Sequence, residues 1–259
     1  MRFDVITLFP DLFGPHLSQG ITRRAFASRQ VDVRLWQLRE FADDNYRRVD
    51  DRPYGGGPGM VMLVEPLTRA LQAVLLDRAE VAARTPTART APVVVHFSPT
   101  GRRLDQALVQ EFAQGPGAVL VCGRYEGIDQ RFIDHFVTHE LSLGDFVLSG
   151  GELPAMVLLD AVARLQEGVL QPSSHQQDSF ADGLLEGPSW SRPETCVLEG
   201  VEHVVPALLL SGHHSKMARF KREAALALTA RRRPDLIAGA RAAGQLNDAD
   251  EKFLRQLGL

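Results

Sequence analysis

Three glycine-rich segments of this chain each follow a short apolar run, and their residue types suit a binding site made largely of main chain. They are Ser98–Gly101, Gly123–Gly127 and Gly144–Gly151. Glycine lets the backbone approach a ligand closely and present N–H and C=O groups to it. Three such loops at one edge of a sheet can hold a flat ring with a polar edge, such as adenine. The alternative, in which each segment is only a tight turn, stays open here.

A fourth glycine-rich segment, Arg52–Met60, lies close to Arg47 and Arg48. It lacks the lysine of a phosphate-binding P-loop, and the chain contains no strand–GxGxxG–helix fingerprint of a dinucleotide site. The segment predicts either a stiff loop that meets a substrate or a simple turn.

Short apolar runs that end at glycine or proline predict the strands that position these loops. Such runs suit the centre of a parallel sheet, because both faces of that sheet are buried. The predicted strands are 3–9, 31–38, 93–97, 118–122 and 146–148. Helical spacing of apolar residues predicts helices at 66–81, 104–112, 154–165, 216–232 and 248–257. The alternation indicates an α/β fold with a mainly parallel sheet.

A polar stretch at 171–177 contains a proline and has no apolar period, which predicts a linker. We therefore expect a first domain at 1–169, a flexible linker at 170–177 and a helical C-terminal domain at 178–259. The segment 85–90 is predicted to be a mobile loop between a helix and a strand.

The net charge is −3, but it is unevenly distributed. From Ser211 to Leu259 there are 10 Lys or Arg and 5 Asp or Glu, which gives +5 and leaves −8 for the rest. A basic tail on an acidic body is typical of an RNA-contacting surface, although a solvated helix face has the same pattern.

The two cysteines, Cys122 and Cys196, do not form a disulfide framework, so a reducing compartment is expected. Neither has zinc-like spacing to other ligands, so no metal cluster is predicted. Asp4 and the lack of an apolar stretch after it argue against a signal peptide. No apolar run approaches the roughly 20 residues of a membrane helix. We expect a cytoplasmic protein without a membrane partner.

Several longer strings resemble those of the bacterial tRNA (guanine-N1)-methyltransferases of the TrmD family. They occur in the family's order over nearly the whole chain and are far more specific together than any short motif. The strings are Asp51–Met60, Cys122–Asp129, Gly144–Pro154, Asp178–Phe180, Ser191–Pro193 and Leu210–His214.

The resemblance implies a SPOUT-type α/β fold with a trefoil knot in its cofactor region, followed by a small helical C-terminal domain. It implies a homodimer with the active site at the subunit interface. The implied reaction transfers a methyl group from S-adenosyl-L-methionine to N1 of the guanosine at tRNA position 37, just 3′ of the anticodon, when another guanosine precedes it. Mg²⁺ is a further requirement of the family, but no carboxylate cluster identifies a site for it.

By resemblance, residues of the three loops form the cofactor pocket, most of them through backbone groups. Taken alone, Tyr125 is more typical of a half-buried packing aromatic, but its place in this loop favours the pocket. The implied pocket residues are Phe97, Ser98, Pro99, Gly123, Tyr125, Glu126, Leu143, Gly144, Phe146, Leu148, Gly150, Gly151 and Pro154.

The implied chemistry needs a general base, because N1 of neutral guanine carries a proton. Asp178 matches the family's aspartate at this step, while Arg164 matches an arginine that can stabilise negative charge at O6 of guanine. Glu126 is expected to help position the guanine or the cofactor. From the residues alone, Asp178 reads as a helix N-cap, with Ser179 as a rival cap, and Arg164 as a surface residue.

The implied tRNA contacts lie in the fourth glycine-rich segment and beyond the predicted linker. A metal at the adjacent histidines is the alternative, but they have no further ligand nearby. Two departures from the family pattern are Glu167 in place of a common proline and His213 in place of a common asparagine. The expected contact residues are Arg52, Pro58, Gly59, Arg192, His213, His214 and Lys216.

Two other functions stay open on the sequence. One is a knotted methyltransferase that acts on ribosomal RNA or on a ribose hydroxyl. The other is an RNA-binding protein that kept the fold without catalysis.

Overall fold

The structure is a computed structural model that describes residues 1–84, 92–171 and 178–259. The predicted loop at 85–90 and nearly all of the predicted linker lie outside these residues. The chain forms two compact units, Met1–Leu170 and Gln171–Leu259. Within the described part, no helix is both long and apolar enough to span a bilayer.

A five-stranded sheet forms the centre of the first unit. Its strands are β1 (Arg2–Thr7), β2 (Asp32–Gln37), β5 (Val93–Arg103), β6 (Ala118–Val121) and β7 (His139–Ser142). Their order is β2-β1-β6-β5-β7, and every neighbouring pair is parallel. A separate antiparallel pair joins β3 (Asp50–Asp51) and β4 (Val61–Met62). The predicted α/β fold with a mainly parallel sheet is confirmed.

Helices cover both faces of this sheet. They are α1 (Phe13–Ser18), α2 (Arg23–Ala27), α3 (Val64–Arg84), α4 (Gln106–Gln114), α5 (Gln130–Phe136) and α6 (Glu152–Ala163), with short 3₁₀ turns at Pro10–Leu12 and Leu38–Phe41. Residues of α1, α2, α4 and α6 share one buried cluster, and residues of α3 and α5 share the other. Successive strand residues point to opposite faces, so Val5 joins the first cluster and Ile6 the second.

The prediction of a strand at 146–148 is wrong. Phe146 and Val147 are in a loop and expose 54% and 84% of their surface. The strand that precedes the third loop is β7, which contains the polar His139 and Glu140. Because β7 lies at an edge of the sheet, it does not need the continuous apolar run that marks a central strand.

The second unit contains four helices in its described part and one β-hairpin that the sequence patterns did not indicate. The helices are α7 (Ala207–Leu210), α8 (His214–Arg232), α9 (Pro234–Ala242) and α10 (Asp248–Gln256), and the hairpin joins β8 (Thr195–Leu198) to β9 (Val201–Val204). Its core cluster comprises Leu184, Leu226, Ile237, Ala240 and Leu254.

A buried carboxylate at the start of the first unit's sheet holds three elements together. Asp4 of β1 is fully buried. Its Oδ2 accepts a hydrogen bond from Arg78 Nε of α3 at 2.6 Å, and its Oδ1 accepts one from Trp36 Nε1 of β2 at 2.9 Å. A buried charge is tolerated only when it is paired in this way.

We predict that Asp4→Asn lowers the free energy of unfolding by about 3 kcal/mol, because it leaves a buried arginine without its carboxylate. Urea unfolding followed by circular dichroism measures the loss. The control is Asp32→Asn, whose partner Arg34 lies 3.3 Å away and whose own side chain is 29% exposed. It should cost less than about 1 kcal/mol. Equal losses in the two variants would contradict the prediction.

Candidate functional site

The three glycine-rich loops meet around one cavity of about 300 Å³ in the first unit. They meet because β5 lies between β6 and β7 and is parallel to both. The register pairs His96 with the last residue of β6 and Phe97 with Leu141 of β7, so the first loop lies level with the carboxyl ends of β6 and β7. Every residue predicted for the cofactor pocket lines this cavity: Phe97, Ser98, Pro99, Gly123, Tyr125, Glu126, Leu143, Gly144, Phe146, Leu148, Gly150, Gly151 and Pro154.

The first loop is a bulge within β5 rather than the end of the strand. Phe97 and Arg102 both pair with Leu141 of β7, so residues 98–101 have no counterpart there. A side chain at Gly101 would overlap the backbone of Glu140, so only glycine fits this close approach of two strands.

The second loop follows β6 and contains a residue in the left-handed region. Tyr125 has φ +59° and exposes 45% of its surface. Partial burial, and a hydrogen bond to the carboxylate of Asp50, raise the pKa of its hydroxyl. An exposure of 45% fits a half-buried packing aromatic, and the position of Tyr125 in the cavity lining fits the pocket role, so both interpretations stay open.

The fourth glycine-rich segment lies beside the second loop. The N–H of Glu126 donates to the carbonyl of Met60 at 2.9 Å, and the N–H of Met62 donates to the carbonyl of Gly127 at 2.9 Å. Gly59 faces the side chain of Glu126. The segment therefore adjoins the cavity, and the predicted contact residues Arg52, Pro58 and Gly59 are all exposed on it.

A main-chain hydrogen bond joins the third loop to the second. The N–H of Gly151 donates to the carbonyl of Gly123 at 2.9 Å. At Gly144, φ is +148°, and the N–H donates to the hydroxyl of Ser142 at 3.1 Å. The apolar side chains of Phe146 and Leu148 are exposed and line the cavity. Exposed apolar groups at a concave site are typical of a surface that a ligand covers.

Seven residues of the cavity lining are not among those predicted for the pocket, and His96 and Arg124 are the two with ionisable side chains. His96 is 6% exposed, burial lowers its pKa, and its Nδ1 has no hydrogen-bond partner. Arg124 donates from Nη1 to the carbonyl of Ser149 at 3.2 Å and occupies the space that a side chain at Gly150 would need. The available signal was that His96 precedes the first loop and that Arg124 belongs to the second.

The two principal catalytic candidates belong to different units. Arg164 follows α6 in the first unit, and its N–H donates to the carbonyl of Asp160 at 3.0 Å. Asp178 is in the second unit and opens a turn in which its carbonyl accepts from the N–H of Ala181 at 3.1 Å. In the described residues no helix begins at Asp178 or Ser179, so the N-cap interpretation is wrong.

The remaining predicted contact residues are exposed on the second unit. His213 precedes α8 and His214 is its first residue, while Arg192 and Lys216 are also exposed. Across residues 1–84, 92–171 and 178–259, no group of three or more His, Cys, Asp or Glu side chains could hold a metal ion.

Fold and site together define an α/β protein with a cavity that three loops line at the carboxyl edge of a parallel sheet. The chain matches the family model described as tRNA (Guanine-1)-methyltransferase TrmD over residues 1–239, and it belongs to this family. It is 64% identical over 260 residues to the tRNA (guanine-N(1)-)-methyltransferase of Leptothrix cholodnii, covering 100% of both chains. It is 54% identical to the protein of the same name from Bordetella pertussis, covering 99% of this chain and 98% of the relative.

We predict that Gly151→Ala destabilises the first unit by about 1–3 kcal/mol, because the new Cβ overpacks the site. It would lie 2.7 Å from Cα of Cys122, although the backbone of Gly151, with φ −82°, suits alanine. Urea unfolding measures the loss. Gly14→Ala is the matched control, because a Cβ there meets nothing within 4 Å. Equal free energies of unfolding for Gly151→Ala and Gly14→Ala would contradict the prediction.

Proposed function

We propose that this protein transfers a methyl group from S-adenosyl-L-methionine to N1 of the guanosine at tRNA position 37. The observation that carries the proposal is the cavity at the edge of β5, β6 and β7, which the family's three loops line in a chain that is 64% identical to a relative of that name over its full length. The name of the relative states the reaction class, and the cavity is the proposed binding site for the methyl donor.

The cavity has properties that suit the cofactor. Its volume of about 300 Å³ is at the lower end of small-molecule sites. Five glycines belong to its lining, and so does His96, whose buried Nδ1 has no hydrogen-bond partner in the protein. When bound, the cofactor supplies a methyl group already activated on a sulfonium. The exposed Phe146 and Leu148 would then be covered and would exclude water.

Asp178 is the proposed general base. Its carboxylate would take the proton from N1 of guanine, which frees the lone pair that accepts the methyl group. The assignment rests on the match of Asp178–Phe180 to the family's motif. Asp178 opens a turn and does not cap a helix among the described residues. Bringing Asp178 to the cavity is the role we assign to the homodimer, in which the active site lies at the subunit interface.

Arg164 is proposed to stabilise the negative charge that develops at O6 as N1 loses its proton. Glu126 is proposed to position the guanine, since it lines the cavity and faces Gly59 of the neighbouring segment. That segment, with Arg52 and Pro58, would then contact the tRNA beside the cavity.

Several finer expectations belong to the same proposal. They are the trefoil knot, the domain division at 169 and 178, the homodimer, the cytoplasmic location, the Mg²⁺ requirement, and tRNA contacts by Arg192, His213, His214 and Lys216. In this proposal the basic side chains bind phosphates and so position the anticodon loop. The pocket then recognises the guanine after it has flipped out of its stack.

The reaction is tested by incubating the protein with S-adenosylmethionine and a tRNA transcript that has guanosine at positions 36 and 37. Digestion and mass spectrometry should show 1-methylguanosine, and a transcript with adenosine at 37 should give none. A methyl group on ribose, or on ribosomal RNA alone, would assign a different methyltransferase activity. Binding of tRNA without methyl transfer would leave only an RNA-binding function.

We predict that Asp178→Asn slows methyl transfer by about 100-fold or more, because no group then takes the N1 proton. The affinity for S-adenosylmethionine should not change. Single-turnover assays and calorimetry measure the two quantities. Asp248→Asn is the control, since this exposed carboxylate is also in the second unit and should keep wild-type rates. Full activity of Asp178→Asn would end the assignment.

A further inference from the structure

A fully buried carboxylate adjoins the cavity without lining it. Glu152 follows Gly151, begins α6 and is completely inaccessible to solvent. Both of its oxygens are paired: Oε1 accepts from the hydroxyl of Thr7 at 2.8 Å, and Oε2 accepts from Nε of Arg124 at 2.9 Å. The mechanism gives this charge no task, and a buried charge is retained only at a substantial desolvation cost.

These contacts join segments that are distant in the sequence. Thr7 is the last residue of β1, Arg124 belongs to the second loop, and Glu152 directly follows the third loop. The Thr7 hydroxyl also accepts a hydrogen bond from the N–H of Phe9 at 2.9 Å. The Glu152 carboxylate therefore connects the end of β1 to the second loop, and Glu152 itself directly follows the third loop.

Arg124 is the member of this network that reaches the cavity. While Nε is held by Glu152, Nη1 donates to the carbonyl of Ser149 at 3.2 Å. The guanidinium carbon lies 4.6 Å from the centre of the Phe9 ring, within the range of a cation–π contact. The side chain also fills the space above Gly150. Arg124 is thus fixed between the second and third loops.

We infer that Glu152 is a positioning residue for the methyl donor, acting through Arg124 to fix the separation of the two loops. The inference rests on the proposed function, because the donor is the ligand that must fit between these loops. When the loops are already held at the right separation, no binding free energy is lost to ordering them. Loss of the Glu152 carboxylate therefore weakens cofactor binding and leaves the methyl-transfer chemistry unchanged.

Calorimetric titration of the full-length protein with S-adenosylhomocysteine tests the inference. Glu152→Gln keeps the size of the side chain and removes the charge that holds Arg124. We expect its Kd to rise about tenfold or more, as for loss of a charge-assisted hydrogen bond. The KM for S-adenosylmethionine should rise in proportion, whereas kcat at saturating cofactor should stay within about twofold.

A milder pair of variants covers the case in which Glu152→Gln does not fold. Thr7→Val removes only the hydroxyl that Glu152 accepts from, and should raise the Kd by about threefold. Thr7→Ser keeps that hydroxyl and should restore wild-type affinity. A Thr7→Ser protein that binds as weakly as Thr7→Val would overturn the inference.

Asp4→Asn separates positioning from stability. Asp4 is also a fully buried, arginine-paired carboxylate and belongs to β1, but the arginines that pair with it, Arg2 and Arg78, do not line the cavity. Its variant should have a lower Tm and an unchanged Kd. If Glu152→Gln and Thr7→Val also lower the Tm and leave the Kd unchanged, the positioning role is wrong. If the wild-type protein itself does not bind S-adenosylhomocysteine, the proposed function fails as well.

Discussion

The carboxyl edge of the parallel sheet is packed so closely that side chains are excluded at several positions, and the cavity depends on this packing. A Cβ at Gly101 would strike β7, and one at Gly151 would lie 2.7 Å from Cα of Cys122. The glycines are therefore not merely flexible residues in turns. They let the second and third loops contact each other through backbone, as in the 2.9 Å hydrogen bond from Gly151 to Gly123. A loop that the fold holds in place loses little free energy to ordering when a ligand binds.

Local features of the fold could be predicted from the sequence, and long-range ones could not. The central strands carry apolar runs and the loops carry glycines, so both were visible, and the rule that parallel strands end at one edge placed the loops together. β7 was not predicted because the polar His139 and Glu140 interrupt the apolar run by which a central strand is recognised. An edge strand such as β7 forms without that run. Glu152 escaped because its partner Thr7 is 145 residues away, a separation that no local pattern reports.

The charge of the C-terminal segment shows why a count of charged residues overstates a binding surface. Asp250 is fully buried and accepts hydrogen bonds from Arg219 Nη1 at 2.7 Å and from Arg222 Nη2 at 3.1 Å. These two cations therefore belong to the packing of α8 against α10, whereas Arg233 forms an exposed pair with Asp235. The basic count of the segment fits an RNA surface or a solvated helix face. Arg219 and Arg222 instead neutralise a buried carboxylate, while exposed residues such as Lys216 suit phosphate contacts.

The proposed reaction divides its requirements between the two units. A methyl group on a sulfonium needs little activation, so holding the donor in line with its acceptor contributes much of the rate, and rigid loops suit that task. Proton removal instead needs a carboxylate that meets N1 only when the guanine has left its stack. Asp178 and most of the expected tRNA contacts lie in the second unit, whereas the cavity lies entirely in the first. Cofactor affinity and proton transfer should therefore respond to different substitutions, because the cavity and the proposed base belong to different units.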